Sequence, residues 1–179
     1  FPGEASGILL PVGKWSGTSL PTIAIGQGVA VTPLQMVTAF STIANGGLRP
    51  APSLVLGTRD TAGVFQSIER LPAERVIGAE TARELLLMLE RVVESGTGTN
   101  AQVPGYRVAG KTGTALKPDL IAGGYAEDRW IASFMGLGPA RRPPLAVWVS
   151  GEEPQRHYYG GTEGAHVFKK ASKRSLIHI

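Results

Sequence analysis

Residues 110 to 114, Gly110-Lys111-Thr112-Gly113-Thr114, place an ammonium, two hydroxyls and two glycines in five consecutive positions. Side chains of that kind recognise an anion, the ammonium by its charge and the hydroxyls by donating hydrogen bonds. From Tyr106 to Ala115 apolar and polar residues alternate, as they do in a half-buried strand. On a strand Lys111 and Gly113 share one face, while Thr112 and Thr114 share the other. A glycine within an edge strand lets a second backbone approach closely, since it carries no Cβ. The chemistry expected is capture of the anionic end of an extended peptide laid along the rim of a sheet.

The same stretch matches a phosphate-loop pattern, because Gly105 to Thr112 reads G-x-x-x-x-G-K-T. That pattern requires a buried strand before it and a helix start after it. Gly98 to Pro104 is polar and ends in Pro, Gly113 follows Thr112 at once, and Pro118 closes any helical run. A nucleotide-binding module using Gly105 to Thr112 is thus the alternative, ranked below peptide recognition. A non-catalytic peptide-binding domain is a third reading.

Other chemistry is less well supported. Glu152-Glu153 are adjacent on a polar stretch, where carboxylates are usually just solvated. His157, His166 and His178 have neither ligand spacing nor an acidic frame, so no metal and no cofactor is expected. No Gly-x-Ser-x-Gly elbow occurs, which removes an esterase reading. The basic C-terminal run has no interleaved aromatics, so no nucleic-acid partner is expected.

The strand must be positioned by the elements around it. Residues 1 to 28 are rich in Gly, Pro and Ser and are expected to be irregular or a short hairpin. Thr32 then reads as an N-cap, with Pro33 at the first helical position and Gln35 completing a capping box. Val37, Phe40, Ile43 and Ala44 form its apolar stripe, and Asn45-Gly46-Gly47 ends it. Two short strands are expected at 53–56 and 64–65 around a turn at 60–63. A helix over about 79–95 buries Leu85, Leu86, Leu89, Val92 and Val93. A loop at 96–105 leads into the central strand, and 116–128 reads as polar and turn-rich. Strands follow at 130–137 and 145–149, joined by a hairpin loop at 141–144. After a polar loop at 152–156, Gly160-Gly161 precedes a last helix carrying Val167, Phe168, Leu176 and Ile177. Adjacent strands with short links pair antiparallel, so the fold class is α+β (α/β in layer terms), an antiparallel sheet with helices packed on it.

The 179 residues are enough for one buried core, and no linker divides them. A hydrophobic content of 42% with 18% charged residues is that of a globular chain, not a disordered one. The net charge of +4 owes much to Lys169, Lys170, Lys173 and Arg174, a basic helix end that is ordinarily solvated. Without Cys there is no disulfide, thiolate metal site or thiol nucleophile. The opening Phe1-Pro2-Gly3-Glu4 lacks Met and shows no signal peptide, so the chain reads as a piece of something longer.

Lys111-Thr112-Gly113-Thr114 on a strand resembles the third of three motifs shared by penicillin-binding proteins and serine β-lactamases. Phe1-Pro2-Gly3-Glu4 with Gly7 and Pro11, then Gly26-Gln27-Gly28, Thr32-Pro33-Leu34-Gln35 and Asn45-Gly46-Gly47, narrow the likeness to class B penicillin-binding proteins. So do Trp130-Ile131-Ala132-Ser133-Phe134 and Tyr158-Tyr159-Gly160-Gly161. The resemblance implies a peptidoglycan D,D-transpeptidase that crosslinks stem peptides through a serine acyl-enzyme, at the outer face of the cytoplasmic membrane. It implies as partners the D-Ala-D-Ala end of a stem peptide, and β-lactams that acylate the same serine. Lys111, Thr112 and Thr114 take catalytic and carboxylate-binding roles by position, the Thr114 N–H being half of the oxyanion hole. Gly113 keeps the rim open, and Trp130, Tyr158 and Tyr159 match an aromatic wall over the acyl side chain.

Two motifs of that family are missing. No Ser is followed three residues on by Lys, and Asn45 and Asn100 are preceded at Ser-x-Asn spacing by Ile43 and Gly98. Residues 1–179 are therefore expected to be the C-terminal part of a transpeptidase domain, inactive alone and completed by a missing N-terminal half. Half of a shared core would leave apolar surface exposed, so self-association is expected.

Overall fold

The computed structural model describes residues 3–119, 121, 123–141, 143–155 and 159–176. Expectations for Phe1, Pro2, Arg142, His157, Tyr158, Ile177 and His178 lie outside them, as does that for the side chain of Leu176. The centre of the fold is an antiparallel three-stranded sheet of β5 (Ala109–Pro118), β6 (Tyr125–Gly138) and β7 (Leu145–Glu152), in that order. β5 is thus an edge strand and β6 the middle one. Thr112 lies opposite Phe134, and Phe134 opposite Val149.

Register decides which side chains face which helix, because strand side chains alternate. On one face Phe134 packs at 5.2 Å, ring centre to ring centre, on Phe168 of α4 (Glu163–Leu176). Val93, Val103, Val108 and Ala165 complete that core. On the other face Met135 and Leu137 meet Val37 and Phe40 of α2 (Pro33–Ala44). Leu86 and Leu89 of α3 (Ala79–Glu94) join them there. The sheet is covered by helices on both faces, which is the expected α+β class. Gly136 is required by the packing: a Cβ there would lie 2.2 Å from the Phe168 ring.

The start of α2 follows its sequence. Thr32 accepts from Gln35 N, the Gln35 side chain accepts from Thr32 N, and Pro33 sits at the first position, where its missing N–H is not needed. Gly46 and Gly47 follow it at φ 61° and 88°.

Three expectations are corrected. Residues 3–28 are irregular rather than a hairpin, but they also hold a 3-10 turn at Val12–Lys14 and an unexpected short helix, α1 (Ser19–Ala24). Pro21 is tolerated there because the N–H groups of a first helical turn have no intrahelical acceptor. The strand expected at 53–56 is displaced to β2 (Gly57–Arg59), paired with β3 (Phe65–Ser67). Turn chemistry sets that register, since Asp60 Oδ1 accepts from the N–H of both Ala62 and Val64. Residues 116–128 are not mainly turn, because β5 runs on to Pro118 and β6 begins at Tyr125. A further pair, β1 (Leu48–Arg49) with β4 (Glu74–Arg75), carried no sequence signal.

Candidate functional site

Lys111 to Thr114 lie in mid-strand on β5, with no strand on their outer side among the described residues. The helix start that a phosphate loop needs after Thr112 is strand here. Lys111 is exposed, and its Nζ donates to the carbonyl of Thr112 at 2.8 Å. Thr112 and Thr114 turn to the α4 face, as alternation requires. Thr112 Oγ1 lies 2.8 Å from Thr97 Oγ1, and Thr114 Oγ1 accepts from the Gly160 N–H at 3.2 Å.

Gly113 is explained differently from the expectation. A Cβ at 113 would lie 2.3 Å from Ser133 Oγ, so the neighbouring strand, not an incoming backbone, takes up the space. Gly160 has the same kind of constraint, since its Cβ would sit 2.1 Å from Ser133 O and 2.4 Å from Gly113 O. Gly161 follows it, with a Cβ direction blocked at 2.3 Å by Thr97 O, while its own carbonyl accepts from Asn100 Nδ2 at 2.9 Å. The Gly160-Gly161 pair is therefore wedged between β5 and the 97–100 segment, which runs into a 3-10 turn at Thr99–Ala101 where a loop was expected.

The register places Trp130 opposite Leu116, on the face shared by Thr112 and Thr114. Tyr159 immediately precedes Gly160 and is 58% exposed. Tyr158 lies outside the described residues. Thr97, Asn100 and Ser133 were missed as site residues. The signal for the first two was present in the threonine-glycine run at 96–99, but what they touch is set by the fold. Among the described residues no group of three metal-binding side chains comes together.

What this arrangement can do is bind a carboxylate. A rim strand offers its outer edge to an extended chain, two hydroxyls stand on one face, and the Lys111 ammonium reaches that edge at the Thr112 carbonyl. A hydroxyl that can attack needs a base to take its proton. Thr112 and Thr114 are instead bonded to a hydroxyl and to an N–H.

A family model described as penicillin binding protein transpeptidase domain matches residues 1–173. Penicillin-binding protein PbpB of Mycolicibacterium smegmatis is 39% identical over 177 residues, which cover 94% of this chain and 27% of that protein. A probable peptidoglycan D,D-transpeptidase, PenA of Neisseria gonorrhoeae, is 34% identical, with 98% and 29% covered. Penicillin binding protein 3 of Mycobacterium tuberculosis, in its apo form, is similar in structure with TM-score 0.89 and 33% identity, over 99% of this chain and 42% of that one. The same protein has also been solved complexed with aztreonam and with ampicillin. The chain spans little more than a quarter of the length of these curated relatives.

Proposed function

Because the chain belongs to the penicillin-binding protein transpeptidase family, we propose that it is the C-terminal part of a transpeptidase domain and supplies the carboxylate-binding strand of a peptidoglycan D,D-transpeptidase. The terminal carboxylate of a D-Ala-D-Ala stem peptide, or that of a β-lactam, rests against the Thr112 and Thr114 hydroxyls. The Lys111 ammonium keeps the rim electropositive, and the Thr114 N–H points at the oxygen that becomes negative on attack. Trp130 and Tyr159 line the side on which the acyl chain lies.

The attacking serine comes from a Ser-x-x-Lys that these 179 residues do not contain. Its Oγ adds to the penultimate D-Ala carbonyl, the peptide C–N bond breaks, and terminal D-Ala leaves as an amine after taking up a proton. An amino group of a second stem peptide then displaces the serine, giving the crosslink. The work takes place in the cell envelope, at the outer face of the cytoplasmic membrane. No helix among the described residues is long and apolar enough to cross one.

The observation that carries this reading is the open rim of β5 with both hydroxyls held on one side of it. Fluorescent penicillin tests it. The 179-residue chain should stay unlabelled, and a longer polypeptide extended upstream through Ser-x-x-Lys should be labelled. Thr114→Val in the longer polypeptide should slow labelling by roughly tenfold, the loss of one charge-assisted hydrogen bond. Labelling of a serine within the 179 residues would overturn these roles. Magnesium-dependent ATP binding lost in Lys111→Ala would favour the nucleotide reading instead.

A further inference from the structure

We propose a second site, unrelated to the carboxylate-binding rim: a pocket at the foot of β5 that takes a small apolar primary amine through Glu90. The pocket holds about 300 Å³ and lies between the last turns of α3, the 102–108 segment and α4. That volume is at the small end of ligand sites and suits one ring with a short arm. None of Lys111 to Thr114, Thr97 or Gly160 lines it.

Its walls are held in place. Val93, Val103 and Val108 belong to the buried core behind it. Gln102 Nε2 donates to the carbonyls of Val93 and Glu94 at 3.0 and 3.1 Å, tying the segment to the end of α3. The Tyr106 N–H bonds back to Val103 O at 3.0 Å, across a turn with Gly105 at φ 84°.

Glu94, Gln102, Arg107 and Lys169 also line the pocket, but the charged group buried there is the Glu90 carboxylate, whose side chain is 10% exposed. Oε2 accepts from Arg107 Nη2 at 2.9 Å, while Oε1 is buried with no hydrogen-bond partner among the described residues. Buried carboxylate oxygens are ordinarily bonded, so the orphan marks a place where a donor is wanted. The terminal torsion of Glu is soft, and because the two oxygens turn together, bringing Oε1 to the pocket takes Oε2 off Arg107, whose side chain is 62% exposed and can pass to solvent. An unused acceptor beside apolar walls is complementary to an ammonium on a hydrophobic body and opposed to a carboxylate. Lys169 on α4 stands among the lining residues and would compete with the amine for that charge.

Titration of the 179-residue chain with 2-phenylethylamine, toluene and phenylacetate, followed by amide and methyl NMR shifts, tests this. The amine should saturate with shifts at Val93, Val103 and Val108, and bind at least tenfold tighter than either other probe. Glu90→Gln, which keeps the shape and the bond to Arg107, should weaken the amine at least tenfold and leave toluene unchanged. Should that variant not fold, Lys169→Glu on the rim decides, because removing the competing cation should tighten the amine at least threefold. No saturable binding, phenylacetate binding as tightly as the amine, or an amine affinity indifferent to whichever of these two variants folds would overturn the proposal.

Discussion

At the scale of single residues, the hydroxyl pair Thr97–Thr112 has the clearest consequence. Two hydroxyls 2.8 Å apart share one proton between them, which leaves the other for a carboxylate and fixes its direction. Thr97→Val keeps the shape and removes that partner. In the polypeptide extended upstream, labelling by penicillin should fall about fivefold, the equivalent of about 1 kcal/mol for one neutral hydrogen bond. Thr97→Ser should restore it, and an unchanged rate in Thr97→Val would refute the role. Gly160→Ala is a sharper test of packing, since its Cβ meets backbone oxygens of two strands at 2.1 and 2.4 Å, and backbone does not yield as a side chain does. Thermal unfolding should show a loss of about 2–3 kcal/mol, in the range for overpacked sites. Lys111 to Thr114 were legible in sequence because their chemistry is contiguous. Thr97 was not, since its partner is 15 residues away and only the fold brings the two together.

Elements were legible where local chemistry alone decides them. The α2 start is one such case, because the Thr32 capping box and Pro33 need nothing from outside the helix. Thr32→Ala should destabilise by about 1 kcal/mol in urea unfolding, as cap removal does elsewhere. The β5–β6 hairpin was not legible, since polar residues at 116–128 look like a turn until their partners are known. Lys117 reaches Glu152 and Glu153 at 2.8 and 2.9 Å, and Arg129 holds Asp119 at 3.1 Å. The hydrogen bonds that Lys117 donates to Glu152 and Glu153 raise the Lys117 pKa, and the one that Glu153 accepts lowers the Glu153 pKa. The signs are opposite. The Lys117 contribution is full below the ordinary lysine range and disappears as pH rises through its raised value. The Glu153 contribution is full above the ordinary carboxylate range and disappears as pH falls through its lowered value. Amide protection at 115–118 and 125–128, corrected for intrinsic exchange, should therefore be greatest between the two ranges, drop at both extremes and weaken with salt. A flat profile would remove these ion pairs from the account.

Over the whole molecule, burial is unevenly shared. The sheet strands and α4 carry most of the fully buried side chains, among them Phe134, Met135, Leu137 and Phe168. Among the described residues the segment before α2 carries none, and Leu9, Val12, Leu20 and Ile25 there are 66, 73, 64 and 78% exposed. Sequence periodicity cannot register this difference, because it reports which residues are apolar and not whether a partner surface exists to cover them. Apolar surface left exposed to water favours association by the same effect that builds a core. Sedimentation velocity of the 179-residue chain should show a sedimentation coefficient that rises with concentration. Leu20→Lys with Ile25→Lys should weaken that association at least tenfold, since each change replaces exposed apolar area with charge. Because neither side chain packs in the core, the melting temperature of the dilute monomer should stay within a few degrees, as surface changes do. A coefficient independent of concentration, or a double variant that associates as before, would mean that this face is not what holds the copies together.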